Sequence, residues 1–169
     1  MKLFRPSLIL STLLLSALPV LVRADEPAST NWGKAADNKI YAQQLVNELM
    51  AKYPELLVVG LHATVPGAKG ETMIATNLDR VGKVDDDDDI AVATEHKTIC
   101  APNLKDDTKF EVQVPLKDNA GNFLGAAAGF VFKYKKGDDE VKLHKKAVAI
   151  RDELAAKTPN LAALLAPAM

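Results

Sequence analysis

The chain has 169 residues, of which 48% are hydrophobic and 25% charged, with 21 basic and 22 acidic side chains. This suits one domain with one core. The balance of charge lacks the basic stripe that nucleic-acid binding calls for. Cys100 is the single cysteine, so an internal disulfide is excluded. The thiol reads as a small buried apolar side chain, with metal ligation or an intermolecular bond as alternatives.

Residues 1–24 have the three-part pattern of an export signal. Lys2 and Arg5 supply positive charge, Leu8 to Val22 is almost wholly apolar, and Val22-Arg23-Ala24 offers small residues where a signal peptidase reads. The apolar run is shorter than the roughly 20 residues a membrane span needs, and Pro19 falls near its end. Cleavage after Ala24 is expected to leave 145 residues with 18 basic and 22 acidic side chains, a formal charge of −4. The expected location is periplasmic or secreted, with no stable membrane span after cleavage.

Residues 25–33 read as a polar leader, and residues 34–157 as the domain. A helix is expected over 34–53, with Ile40, Leu45, Leu49 and Tyr53 near one stripe and Val46 and Met50 beside it. Pro54 ends it. Residues 55–65 are apolar around His62 and predict a central strand buried on both faces. The turn at 66–70 leads to a short strand over 72–77, so 55–77 reads as a hairpin. Residues 78–97 predict a loop and a short helix capped by one of five consecutive aspartates, Asp85 to Asp89. Strands follow over 97–103, over 110–117 with Phe110, Val112, Val114 and Leu116 alternating with polar residues, and over 123–134. The last of these is rich in glycine and alanine, so it must lie centrally with something packed closely on it.

A helix over 138–156 carries Leu143, Ala147, Ile150 and Leu154 on one face. Residues 158–169 read as a tail or a short helix opened by Pro159. The fold class expected is α+β. It is a five-stranded antiparallel sheet with helices on one side, a long N-terminal helix, a helical loop after strand two and a C-terminal helix.

That element order resembles PAS-like folds and their extracytoplasmic relatives, the Cache domains. A combination of short motifs also resembles a family of exported single-domain Cache-like proteins of proteobacteria. It includes Tyr53-Pro54-Glu55-Leu56, Gly60-Leu61-His62-Ala63-Thr64, Ile74-Ala75-Thr76-Asn77, Arg80-Val81-Gly82-Lys83, Pro115-Leu116-Lys117-Asp118, Val131-Phe132-Lys133-Tyr134 and Ile150-Arg151-Asp152-Glu153. The resemblance covers roughly residues 50–155 and implies a small-molecule site on one sheet face, under the helical loop. Cache domains pass their signal through a membrane helix to an output domain. This chain offers no output domain, so a sensor of this kind is expected to report by docking to an envelope receptor or signalling partner.

Three functional readings follow. The first is binding of a small anionic or zwitterionic molecule. Arg80 and Lys83 would be its anion contacts, and His62 and Asn77 would stand on the pocket wall. The second is metal binding through the aspartate run, with Asp85, Asp87, Asp89 and His96 as ligands. Counted from Asp85, the EF-hand glycine and glutamate positions hold Ile90 and His96, so that motif is rejected. The third is a protein-interaction module with no small-molecule ligand. No cofactor and no enzyme activity are expected. There is no Gly-x-Ser-x-Gly elbow or glycine-rich phosphate loop, and Glu95 and Glu111 would need the fold to unite them.

Overall fold

The computed structural model describes residues 32–168. The export signal and most of the polar leader lie outside the described residues. Five strands form one antiparallel sheet in the order β2-β1-β5-β4-β3. Their ranges are Leu56–Thr64 (β1), Glu71–Thr76 (β2), Ile99–Pro102 (β3), Lys109–Lys117 (β4) and Phe123–Lys133 (β5). The helices are Tyr41–Lys52 (α1), Asp87–Glu95 (α2), Glu140–Lys157 (α3) and Leu161–Leu165 (α4). Among the described residues no helix is long and apolar enough to cross a membrane.

The expected first helix is divided. A single 3-10 turn occupies Ala35–Asp37, and α1 starts at Tyr41. Between them the backbone leaves the helical path to meet the C-terminal segment. The Ala168 N–H donates to the Lys39 carbonyl at 2.7 Å, and the Tyr41 N–H donates to the Ala166 carbonyl at 2.8 Å. The second bond satisfies a first-turn donor for which Ile40 has no side-chain cap. From there Ala42, Leu45, Val46 and Leu49 recur at helical spacing and bury one face against β1 and β2.

Strand β5 is central, as its small residues require. It pairs with β1 on one side and β4 on the other. Alternation along these strands separates two faces. Val59 and Leu61 of β1, Ala126, Ala128, Phe130 and Phe132 of β5, and Phe110, Val112 and Val114 of β4 join the main core with α1, α3 and α4. Ala127 points the other way and packs against Val92 and Ala93 of α2. The helices therefore lie on both sides of the sheet rather than on one, and α2 alone covers part of the second face.

Smaller departures have local causes. The strand expected over 97–103 shortens to Ile99–Pro102. His96 before it takes a left-handed backbone with φ 57°. Asn103 after it accepts the N–H groups of Lys105 and Asp106 in a turn. Cys100 on this edge strand is exposed, which overturns its reading as a buried side chain. Pro159 precedes α4 rather than opening it, because Asn160 caps that helix by accepting the Ala163 N–H at 2.9 Å.

Candidate functional site

The second sheet face is where charged side chains go inside. Beyond the reach of α2 it forms the floor of a groove of about 490 Å³. Gly60 of β1 and Gly129 of β5 are paired across the strands at this floor. Neither has a side chain to fill it: Gly60 is buried beneath the His62 ring, and Gly129 is the half-buried one that leaves its backbone partly open.

The loop after β2 builds one wall by running back along that strand. The Met73 N–H donates to the Lys83 carbonyl at 2.9 Å, the Gly82 N–H to the Met73 carbonyl at 2.8 Å, and the Asp85 N–H to the Glu71 carbonyl at 3.1 Å. Gly82 has φ +85°, a conformation glycine adopts without the steric cost a Cβ brings. The ribbon sets Asp85 beside Glu71. A register shift in the β1–β2 pairing falls between Leu61 and His62. Such irregularities re-aim side chains beside functional sites.

These elements bring His62, Asp85, Asp89 and Glu71 together in the interior. The His62 Nδ1 lies 2.7 Å from Asp85 Oδ1 and 3.8 Å from Asp89 Oδ2. The Gln113 Nε2 of β4 donates to Asp89 Oδ1 at 2.9 Å. With Nδ1 engaged by the carboxylates, the other ring nitrogen reaches over the glycine floor. A Cβ built on Gly60 would meet His62 Nε2 at 2.9 Å, and one on Gly129 would meet it at 3.8 Å.

Burial and the Asp85 charge push the Glu71 carboxyl up to about 7. Burial also raises the Asp89 carboxyl, against the opposing influence of His62. For His62, burial alone lowers the pKa. The Asp85 hydrogen bond and the Asp89, Asp85 and Glu71 charges outweigh it, and the net direction is upward.

The two expected anion contacts, Arg80 and Lys83, and the expected wall residue His62 line this one groove. Arg80 is exposed, with its guanidinium 5.9 Å from the centre of the Trp32 ring. Neither Arg80 nor Lys83 makes an ion pair among the described residues. Asp89 and Glu111 bring negative charge to the same groove. Glu95, the other carboxylate considered, instead pairs with Lys97 at 2.5 Å.

Asn77 stands elsewhere. Its side chain accepts the Val59 N–H at 2.9 Å and donates to the Leu57 carbonyl at 3.0 Å. It clamps the start of β1 and borders a separate, wider hollow of about 820 Å³ beside α1. That hollow shares no lining residue with the groove.

The expected metal ligands also divide. Asp85 and Asp89 turn inward, whereas Asp87 and His96 are exposed. His96 ends α2 and stacks on Phe123, with ring centroids 3.8 Å apart. Sequence reasoning did not single out Glu71, Gln113, Gly60 or Gly129. One available signal was a glutamate opening the otherwise uncharged strand Glu71-Thr72-Met73-Ile74-Ala75.

No protein-family model and no curated protein matches the sequence. Among solved structures, the chain is similar to the GAF domain of A. aeolicus nlh2 in an inactive state. The TM-score is 0.54 at 9% identity, over 72% of this chain and 86% of that one. It also matches the Agobacterium tumefaciens repressor BlcR with a TM-score of 0.46 at 10% identity, over 69% of this chain and 66% of that one. At such identity the first likeness establishes the fold, an α+β domain of the GAF and PAS-like type, and the second carries no argument.

Proposed function

We propose that this chain is an exported, stand-alone Cache/PAS-like domain that binds a small anionic or zwitterionic molecule and acts through a partner protein. The observation that carries the reading is the convergence of Arg80, Lys83 and His62 on one groove with a glycine floor. Two cationic side chains that form no ion pair among the described residues are available to a carboxylate or phosphate. Arginine offers a two-pronged hydrogen-bond fork and lysine a point charge. Glu111 in the same groove suits the ammonium end of a zwitterion. A groove of about 490 Å³ is within the size range of small-molecule sites.

Export rests on the sequence pattern of residues 1–24, and action through a partner on the resemblance to Cache domains, which pass their signal onward. The exported form begins at Asp25, which N-terminal sequencing of the protein from the envelope fraction tests.

The binding reading is tested by thermal-shift screening of the purified protein against amino acids, organic acids and nucleotides. Titration calorimetry on any hit follows. At least one carboxylate- or phosphate-bearing compound should raise the melting temperature. Arg80→Ala should weaken its binding by at least about tenfold, the equivalent of roughly 1.4 kcal/mol. Undiminished binding by that variant would remove the anion contacts assigned here.

A further inference from the structure

We propose that His62, Asp85 and Asp89 form a binding site for one divalent first-row metal cation of the zinc or manganese type, behind the groove. The reading goes beyond small-molecule binding and does not depend on it. Each of the three buried residues offers a ligand atom, and these atoms all lie within 4.8 Å of one another. They come from β1, from the loop after β2 and from α2, so the site is a product of the tertiary fold.

The hydrogen bonding of the cluster is incomplete in one direction only. The Asp85 side chain is wholly buried, yet its Oδ2 has no hydrogen-bond partner. The buried Oε1 of Glu71 and Oε1 of Gln113 are also without one. All three orphans are acceptors. Buried oxygens of this kind are normally satisfied. What the site lacks is positive charge or donors.

Charge points the same way. Three carboxylates surround a single imidazole, and no lysine or arginine among the described residues forms an ion pair with Asp85, Asp89 or Glu71. Uncompensated buried charge is costly. A divalent cation held by His62, Asp85 and Asp89 offsets it and gives the Asp85 carboxylate a partner.

The donor set selects the ion. One imidazole nitrogen with carboxylate oxygens suits zinc or manganese. Copper(I) would call for soft thiolate or thioether ligands, and calcium for oxygens alone. Cys100 does not contribute, being exposed on β3. With metal–ligand distances of about 2.0–2.2 Å, ligand atoms stand roughly 3–4 Å apart. Of the present separations from the His62 Nδ1, 3.8 Å to Asp89 lies inside that range and 2.7 Å to Asp85 just below it, so modest side-chain movement admits the ion. Gln113 donates to Asp89 Oδ1, the kind of outer contact that orients a ligating carboxylate. Coordination through Nδ1 leaves the Nε2–H of His62 as a donor over the glycine floor.

The test uses the purified full chain, stripped with a chelator and titrated separately with Zn²⁺, Mn²⁺ and Ca²⁺ by calorimetry. A Co²⁺ titration is followed by visible absorption. One zinc or manganese ion per chain should bind and raise the melting temperature, with calcium weaker, and Co²⁺ should develop ligand-field bands. Asp85→Asn and Asp89→Asn should each cut affinity by about 100-fold or more. Gln113→Ala, which leaves every ligand in place, should cost on the order of 10–100-fold. It keeps the test decisive if the aspartate variants fold poorly. Three outcomes overturn the proposal. They are no saturable binding of zinc or manganese below about 1 mM, affinity unchanged in the Asp85, Asp89 and Gln113 variants, and binding that is lost instead in Asp87→Asn/Asp88→Asn.

Discussion

The two faces of the β1–β5–β4 sheet use the same backbone in opposite ways. On one, Val59, Leu61, Phe130 and Phe132 are buried under α1 and α3 with no polar side chain among them. On the other, Gly60, His62 and Gly129 alternate with those residues, and Gln113 with Val112 and Val114, to carry a groove and a cluster of acids. Residues adjacent in sequence thus belong to different regimes. The first face stabilises by removing apolar surface from water, at about 25 cal/mol per Å². The second buries carboxylates with unmatched oxygens, which opposes folding unless something binds there. Stability comes from one face, and both proposed binding sites lie on the other.

That contrast is broken most visibly from the apolar side. Phe130 is fully buried in the main core. Phe130→Ala should destabilise by about 3–5 kcal/mol, read from urea unfolding. A loss below about 1 kcal/mol would mean that this face is not the source of the fold's stability.

On the polar face the matching lever is pH. Glu71, His62 and Asp89 all have folded-state pKa values above their ordinary ones. Each contributes stability that is complete below its unfolded pKa and is lost as pH rises through its folded value. The window opens near 4.5 for Glu71 and extends through about 7, with His62 continuing the same trend above 6.5. Chelator-treated protein should therefore melt at progressively lower temperature from pH 4.5 to 7.5. Glu71→Gln should flatten the lower part of that slope. A stability that rises with pH over this interval would contradict the buried placement of the acids.

How much of this was legible in the sequence follows the same division. The apolar alternation of Phe110, Val112 and Val114 and the four-three-four spacing of Leu143, Ala147, Ile150 and Leu154 specify burial directly, because the period of the side chains is the period of the element. The small residues of β5 required a close neighbour, and α2 on Ala127 supplies it. The polar face is legible only in part. Gln113 and Glu111 alternate with core residues as solvent-facing side chains would, but here the outer face is partly roofed by α2. The five aspartates look equivalent in sequence. Only the loop's pairing with β2 and the phase of α2 turn Asp85 and Asp89 inward and leave the others out. His96 lies within the motif-rich segment, yet its left-handed backbone carries it away from His62's neighbourhood to Phe123. Tertiary contact, not spacing, selects the histidine.

The two floor glycines sharpen the comparison further, because they face the same groove and differ in the room around them. A Cβ on Gly60 would lie 2.9 Å from His62 Nε2, closer than side chains tolerate. Gly60→Ala should displace the imidazole and destabilise by about 1–3 kcal/mol.

On Gly129 the nearest atom would be that same nitrogen at 3.8 Å, an ordinary contact, and the residue has no positive φ to relieve. Replacing glycine inside a strand also removes an entropic cost of roughly 0.5–1 kcal/mol. Gly129→Ala should therefore leave stability unchanged or slightly raised in urea unfolding. The added methyl still rises from the floor into the space a guest would occupy. A variant that melts like the parent but binds any screened ligand several-fold more weakly would show that the floor is kept bare for binding rather than for folding. Unchanged binding by Gly129→Ala would mean that the guest does not reach the floor between β1 and β5.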